Sequence, residues 1–113
     1  MKPAKELLKG STTMLVLNLL NSEDMYGYQM IQELKKRSDQ TFVLQEGTLY
    51  PILHNLENQN CILSFWKESD QGRKRKYYSI TQDGKKLLSQ QKKEWKVYAN
   101  AVNKVIGGAC FEG

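Results

Sequence analysis

The sequence has little of what catalytic and extracellular proteins are usually built from. Its 113 residues include one histidine, two cysteines and two prolines. Cys61 and Cys110 are too few for a disulfide framework and too far apart for a Cys-x-x-Cys site, so free thiols in a reducing compartment are expected. With His54 as the only imidazole, a zinc site would lack ligands, and neither metal nor cofactor is expected. No apolar run is long enough to span a bilayer. The start, Met1-Lys2-Pro3-Ala4-Lys5-Glu6, has neither the apolar stretch nor the small-residue cleavage site of a secretory signal. The expected location is therefore cytoplasmic, with no membrane partner. There is no glycine-rich phosphate loop and no paired-acid constellation. His54 and Cys61 could share a helix face, but nothing supplies an oxyanion hole. These absences argue against an enzyme.

What is present is an ordinary globular balance of 40% hydrophobic and 26% charged residues, with room for one modest core. The net charge of +5 is unevenly spread. Residues 1–60 carry six basic and seven acidic side chains, whereas 61–113 carry eleven basic and five acidic. The excess is densest in Arg73-Lys74-Arg75-Lys76. That pattern suits a polyanion, although solvated surfaces can be equally basic.

The periodicity predicts helix, helix, helix, hairpin, helix. The first helix is expected from about Ala4 to Leu20, where Leu7, Leu8, Met14, Leu15, Leu17 and Leu19 are too dense for a one-sided stripe and call for more than one neighbour. Gly10 interrupts it. The second runs from about Gly27 to Arg37, with Met30, Ile31 and Leu34 inward and Lys35, Lys36 and Arg37 in the last turn, where cations suit the macrodipole. Residues 38–45 connect, with Thr41 to Leu44 extended and partly buried. The third helix spans about Gly47 to Asn60. Leu49, Ile52, Leu53 and Leu56 form its inward face; Thr48, Tyr50, His54, Asn55 and Asn58 lie outward. Two strands rich in β-branched and aromatic residues, about 62–67 and 76–80, flank a polar, basic tip and make a two-stranded hairpin. Thr81 and Asp83 then supply the N-cap and a first-turn carboxylate for a last helix, about Gln82 to Ile106.

That last helix carries an apolar seam of Leu88, Trp95, Tyr98, Val102 and Val105, with Gln91 as a polar interruption. Gly107-Gly108 ends it, and no later element in the sequence covers it. A second copy of the chain would, so a homodimer built from the first and last helices is expected.

Helix order and the amphipathic third helix match the winged helix-turn-helix plan, in which the third helix enters the major groove and the hairpin tip meets the backbone or minor groove. The expected fold is mostly α with a two-stranded β wing: residues 1–81 form the DNA-binding domain, and 82–113 the C-terminal dimerisation helix with a short tail. The stretch Glu46-Gly47-Thr48-Leu49-Tyr50-Pro51-Ile52-Leu53-His54-Asn55-Leu56-Glu57 resembles the recognition-helix signature of the PadR-like transcriptional regulators. The run from Gly72 to Gly84 resembles that family's wing and its exit into the dimerisation helix, and Tyr26-Gly27-Tyr28 the start of its second helix. The resemblance covers roughly residues 5 to 105. It implies a dimeric repressor of duplex DNA that lets go when a small molecule binds or the dimer rearranges.

Candidate DNA-facing residues are Tyr28, Thr48, Tyr50, His54, Asn55, Arg73, Lys74 and Arg75. Arg73 and Lys74, nearest the tip, are the better placed of the basic run, since successive strand residues alternate faces and Lys76 falls within the strand. Tyr50 fits either a DNA contact or a place partly under the wing. In the compact branch of the family, a tryptophan on the last helix lines a pore at the dimer centre that takes hydrophobic drugs. Trp95 matches it, which implies a hydrophobic or aromatic effector held by Trp95, Leu7 and Met14. Trp95 fits equally as a plain interface anchor. Two departures stand out: Asn55 replaces a basic residue frequent in the family, and Asn60 replaces glycine. The recognition helix therefore lacks a guanidinium or ammonium for guanine, and affinity should lean on the wing and phosphates. A second reading is a winged-helix adaptor whose basic wing binds an acidic protein, without specific DNA binding.

Overall fold

A computed structural model describes residues 10–107. Leu7, Leu8 and Cys110 fall outside the described residues. The elements in order are α1 (Thr12–Ser22), β1 (Met25–Tyr26), α2 (Gly27–Arg37), α3 (Glu46–Asn58), β2 (Ile62–Glu68), β3 (Lys74–Ile80) and α4 (Gln82–Ile106).

The described part of the first helix begins only after a turn at Gly10 and Ser11. As its leucine density predicts, α1 is buried on more than one side, through Val16, Leu17, Leu19 and Leu20. These meet Met30 and Leu34 of α2, Leu49, Leu53 and Leu56 of α3, Met25, Ile62 and Tyr78 of the sheet, and Leu88 of α4. The connection from α2 to α3 is anchored by buried Leu44, with Phe42 packed on the same core.

The sheet has three strands, not two, in the order β1-β3-β2 and antiparallel throughout. Two residues show no periodicity, so β1 was invisible in the sequence; Met25 pairs with Tyr78 and Tyr26 with Tyr77. The hairpin strands also run further than expected, out to the Glu68–Lys74 pair. Five residues, 69–73, remain beyond it, the middle three forming the tip. The Gly72 amide donates to the Ser69 carbonyl (2.9 Å), and the Ser69 amide donates to the Arg73 carbonyl (2.7 Å). Gly72 takes φ 79° there, the left-handed residue that a three-residue hairpin loop requires.

Asn60 explains one departure from the family pattern. The Cys61 amide donates to the Leu56 carbonyl (2.9 Å) and the Asn60 amide to the Glu57 carbonyl (3.0 Å), which closes α3 in a Schellman motif. Asn60 sits at φ 61°, a conformation that glycine adopts freely and asparagine tolerates.

The start of α4 is clamped to the end of α3. Thr81 Oγ1 accepts from the Gly84 amide (3.0 Å) and donates to the Asn60 carbonyl (2.7 Å). The Thr81 amide donates to the Cys61 carbonyl (3.0 Å). A Cβ on Gly84 would run into that Cys61 carbonyl and into Ile80, so only glycine permits this approach. At the far end, Gly107 closes α4 at φ 82°.

Candidate nucleic-acid interface

At 100° per residue, the inward side of α3 centres on Leu49, Leu53 and Leu56, and its crest on Pro51, His54 and Asn58. Thr48 and Asn55 lie on one flank of the crest, Tyr50 and Glu57 on the other. Thr48, Tyr50, His54 and Asn55 are all exposed, as expected. The Tyr50–Glu57 flank faces the sheet. Ser64 Oγ of β2 donates to Glu57 Oε2 at 2.6 Å, and Tyr50 packs so tightly on α2 that a Cβ on Gly27 would meet its hydroxyl. Tyr50 is therefore partly packed and 44% exposed at once.

A cleft of about 350 Å³ opens between the starts of α2 and α3 and the edge of β3. Tyr26, Tyr28, Tyr50 and Tyr78 line it with Gly27, Glu46, Arg75 and Lys76. The Tyr78 phenol is pushed above its usual value, first by burial, then by the Glu57 carboxylate and by Tyr50. It stays uncharged across the physiological range.

The two faces of the hairpin differ. In register, Ile62, Ser64, Trp66 and Glu68 pair with Ile80, Tyr78, Lys76 and Lys74. This is the face turned to α3, because Ser64 reaches Glu57 from it. Phe65 and Tyr77 lie on the other face, stacked with centroids 6.0 Å apart, and Tyr26 meets Tyr77 edge-on at 5.4 Å. Arg75 also lies there, its guanidinium 4.5 Å over the Tyr26 ring and its Nε buried with no hydrogen-bond partner among the described residues. Lys67 caps Tyr77 at 5.0 Å. Thus Arg75 faces away from Lys74 and Lys76, the alternation that a strand dictates.

Arg73 and Lys74 are exposed near the tip, and their side chains make no ion pair among the described residues, although Lys74 pairs in register with Glu68. Sequence reasoning passed over the Glu57–Ser64 link, the Gly27–Tyr50 contact and the exposed Trp66. Only the position of Trp66 on a strand was legible beforehand.

A second, larger cleft of about 800 Å³ lies between α1 and α4. Met14, Leu15, Phe42, Trp95 and Tyr98 give it apolar and aromatic walls; Ser11, Thr13, Gln91 and Glu94 add polar groups. Met14 and Trp95 thus share one cleft, and Trp95 and Tyr98 lie 5.9 Å apart between centroids. The Oε1 of Gln91 is buried with no hydrogen-bond partner among the described residues. Along α4, Leu88 is 3% exposed and belongs to the chain's own core. It is already covered, so the open seam starts further along, with Trp95, Tyr98, Val102 and Val105 all exposed. Among the described residues no group of three or more His, Cys, Asp or Glu could hold a metal ion, and no helix is long and apolar enough to cross a membrane.

The model of the transcriptional regulator PadR-like family matches residues 16–90. The chain is 37% identical over 90 residues to the uncharacterized protein X of Lysinibacillus sphaericus, covering 80% of this chain and 83% of that one. A transcriptional regulator from Clostridium thermocellum has a similar structure, with TM-score 0.80 and 31% identity over 88% of this chain and 96% of that one. A PadR-like transcriptional regulator from Bacillus cereus gives TM-score 0.79 and 34% identity, over 89% and 96%. The two relatives of solved structure are regulators of transcription. With most of its length matched in sequence and in fold, the chain belongs to the PadR-like family of transcriptional regulators.

Proposed function

We propose that the chain is a sequence-specific repressor that binds its operator as a homodimer and is released by a small hydrophobic or aromatic ligand. The observation that carries this reading is the separation of two surfaces. One joins the hydrogen-bonding crest of α3 to the unpaired wing cations Arg73 and Lys74. Side chains of the α3 type read base edges, and long cations released from local partners neutralise phosphates. Thr48, Tyr50, His54 and Asn55 are the proposed base-facing group; Tyr28, Arg73 and Lys74 contact the backbone. Arg75 lies over Tyr26 on the outer face of the wing and also lines the small cleft beside the start of α3.

The other surface is the cleft under Trp95 and the seam beyond it. From Lys92 to Ile106 only Ala99 is half-buried among the described residues; every other residue is exposed. Helices gain most of their stability in proteins from packing an apolar face, so a stretch this bare needs a partner. A second copy meets that need and closes the cleft, where the ligand sits against Trp95, Met14 and Tyr98.

The test is duplex selection from a random pool, followed by affinity measured against salt. A selected site bound far above random DNA is expected. The double variant Arg73→Ala, Lys74→Ala should weaken all duplexes and flatten the log–log salt slope by about 3.6 for the bound dimer, since it removes four phosphate contacts of roughly 0.9 each. An unchanged slope removes the wing from the interface. No duplex preference at any salt removes the repressor reading and favours a protein-binding adaptor.

A further inference from the structure

Trp66 is the most exposed aromatic side chain among the described residues, at 67%. The other exposed aromatics have local explanations. Trp95 and Tyr98 line the large cleft, and Tyr28 and Tyr50 line the small one. Trp66 lines neither. The strand needs no indole there, because on this face the sheet's packing role ends with buried Tyr78, which pairs with Ser64. Two residues further out, Trp66 stands roughly 7 Å beyond that pair.

Its direction is fixed by register. Ser64, two residues before it, reaches Glu57 on α3, and Tyr78, opposite Ser64, is buried against the same side. Trp66 shares their parity, so it projects on the α3 side, past the helix. Lys76 lies directly opposite, and Lys74 is the next residue of that face. Lys76 Nζ lies 5.8 Å from the Tyr78 ring, and Lys74 stands opposite Glu68 without an ion pair among the described residues, so both lysines neighbour the indole on this face. The result is one apolar plate between two cations on the flank of a helix that fits a groove.

The major groove is about 12 Å wide and admits one helix, so with α3 in it a side chain on the strand beside α3 meets the bordering phosphates and the adjacent minor groove. We propose that Trp66 is a DNA-contact residue, its indole lying against the deoxyribose wall of that minor groove while Lys74 and Lys76 hold the phosphates beside it. An apolar ring matches the sugar edge, and the indole N–H can donate to the acceptors of the groove floor. The proposal rests on the DNA-binding reading above and adds to it a contact that carries no charge.

The absence of charge makes the test specific. The full chain labelled with 5-fluorotryptophan gives two fluorine resonances, and Trp66→Phe identifies that of Trp66. The selected duplex should shift or broaden the Trp66 resonance more than that of Trp95. Trp66→Ala should lower duplex affinity about tenfold, the loss expected for one well-packed aromatic contact. It should do so without changing the salt slope, whereas Lys74→Ala changes the slope. Trp66→Phe should recover most of the affinity. If the parent binds duplex while the Trp66 resonance and the Trp66→Ala affinity stay unchanged, the inference is wrong and the repressor reading stands. If the parent binds no duplex, the repressor reading fails first. A Trp66→Ala protein with a lowered melting temperature and unchanged duplex affinity would make Trp66 a structural residue and overturn the proposal.

Discussion

The wing and the far half of α4 both present aromatic side chains to solvent, yet in opposite company. Around Trp66 stand Lys74, Lys76 and Glu68, with Glu57 and Ser64 bound to each other just behind. Around Trp95 stand Met14, Leu15, Phe42 and Tyr98, with Glu94 the one charged side chain lining the cleft among the described residues. Exposure by itself does not separate the two tryptophans, at 67% and 48%. Their neighbours do. An indole among cations suits a polyanion, while an indole among thioether and hydrocarbon suits an apolar partner.

The largest expected effect would come from charging the apolar side of this pair. Val102→Glu places a carboxylate in the seam of each copy of the proposed dimer, and like charges facing each other across such a seam are strongly unfavourable. Sedimentation equilibrium should show dimer affinity falling at least ~100-fold. The Trp95 environment should change and that of Trp66 should not. A dimer as tight as the parent's would place the interface elsewhere.

A smaller effect should come from the joint between the two regions. Gly84→Ala drives a methyl group into the Cys61 carbonyl and Ile80, and overpacking of that kind costs about 1–3 kcal/mol. Thermal unfolding should report a fall of several degrees, with the environments of both tryptophans perturbed together. A change seen at only one of them would mean that the regions are less firmly joined than the Thr81 hydrogen bonds suggest.

The smallest effect is a pH dependence confined to alkali. Burial, with Asp83 adding to it, raises the Cys61 thiol above its ordinary 9.0; burial, with Glu57 and Tyr50, raises the Tyr78 phenol above 10.0. In both cases the folded chain holds its proton where the unfolded chain has lost it. The stability that these two groups contribute is therefore constant below about pH 9 and is lost as pH rises through and above these values. Tyr78→Phe should shallow the upper part of that fall in denaturant titrations from pH 8 to 11. An unaltered profile would mean that the Tyr78 site takes the phenolate without penalty.

The sequence made the helices readable because each advertises itself over many residues. Leu49, Leu53 and Leu56 repeat at helical spacing, and Thr81 and Gly107 mark both ends of α4 by their own chemistry. What escaped was whatever depends on two distant segments meeting. β1 is a strand only because Tyr77 and Tyr78 lie beside it. Alternation said that Arg75 and Lys76 point apart, but the Ser64–Glu57 bond was needed to tell which of them shares a side with α3. Leu88 looked like seam residue on spacing alone, and the neighbouring core claims it.

The clamp at Thr81 and Gly84 has a mechanical consequence. It welds the root of α4 to the end of α3 through two hydrogen bonds on one hydroxyl and a contact with no slack. A 25-residue helix is about 37 Å long. In the proposed dimer it acts as a lever: a tilt of about 5° at the seam displaces the far end by roughly 3 Å, over that same length. Two recognition helices must match successive turns of the duplex about 34 Å apart, so a ligand that spreads the seam slightly throws both out of step.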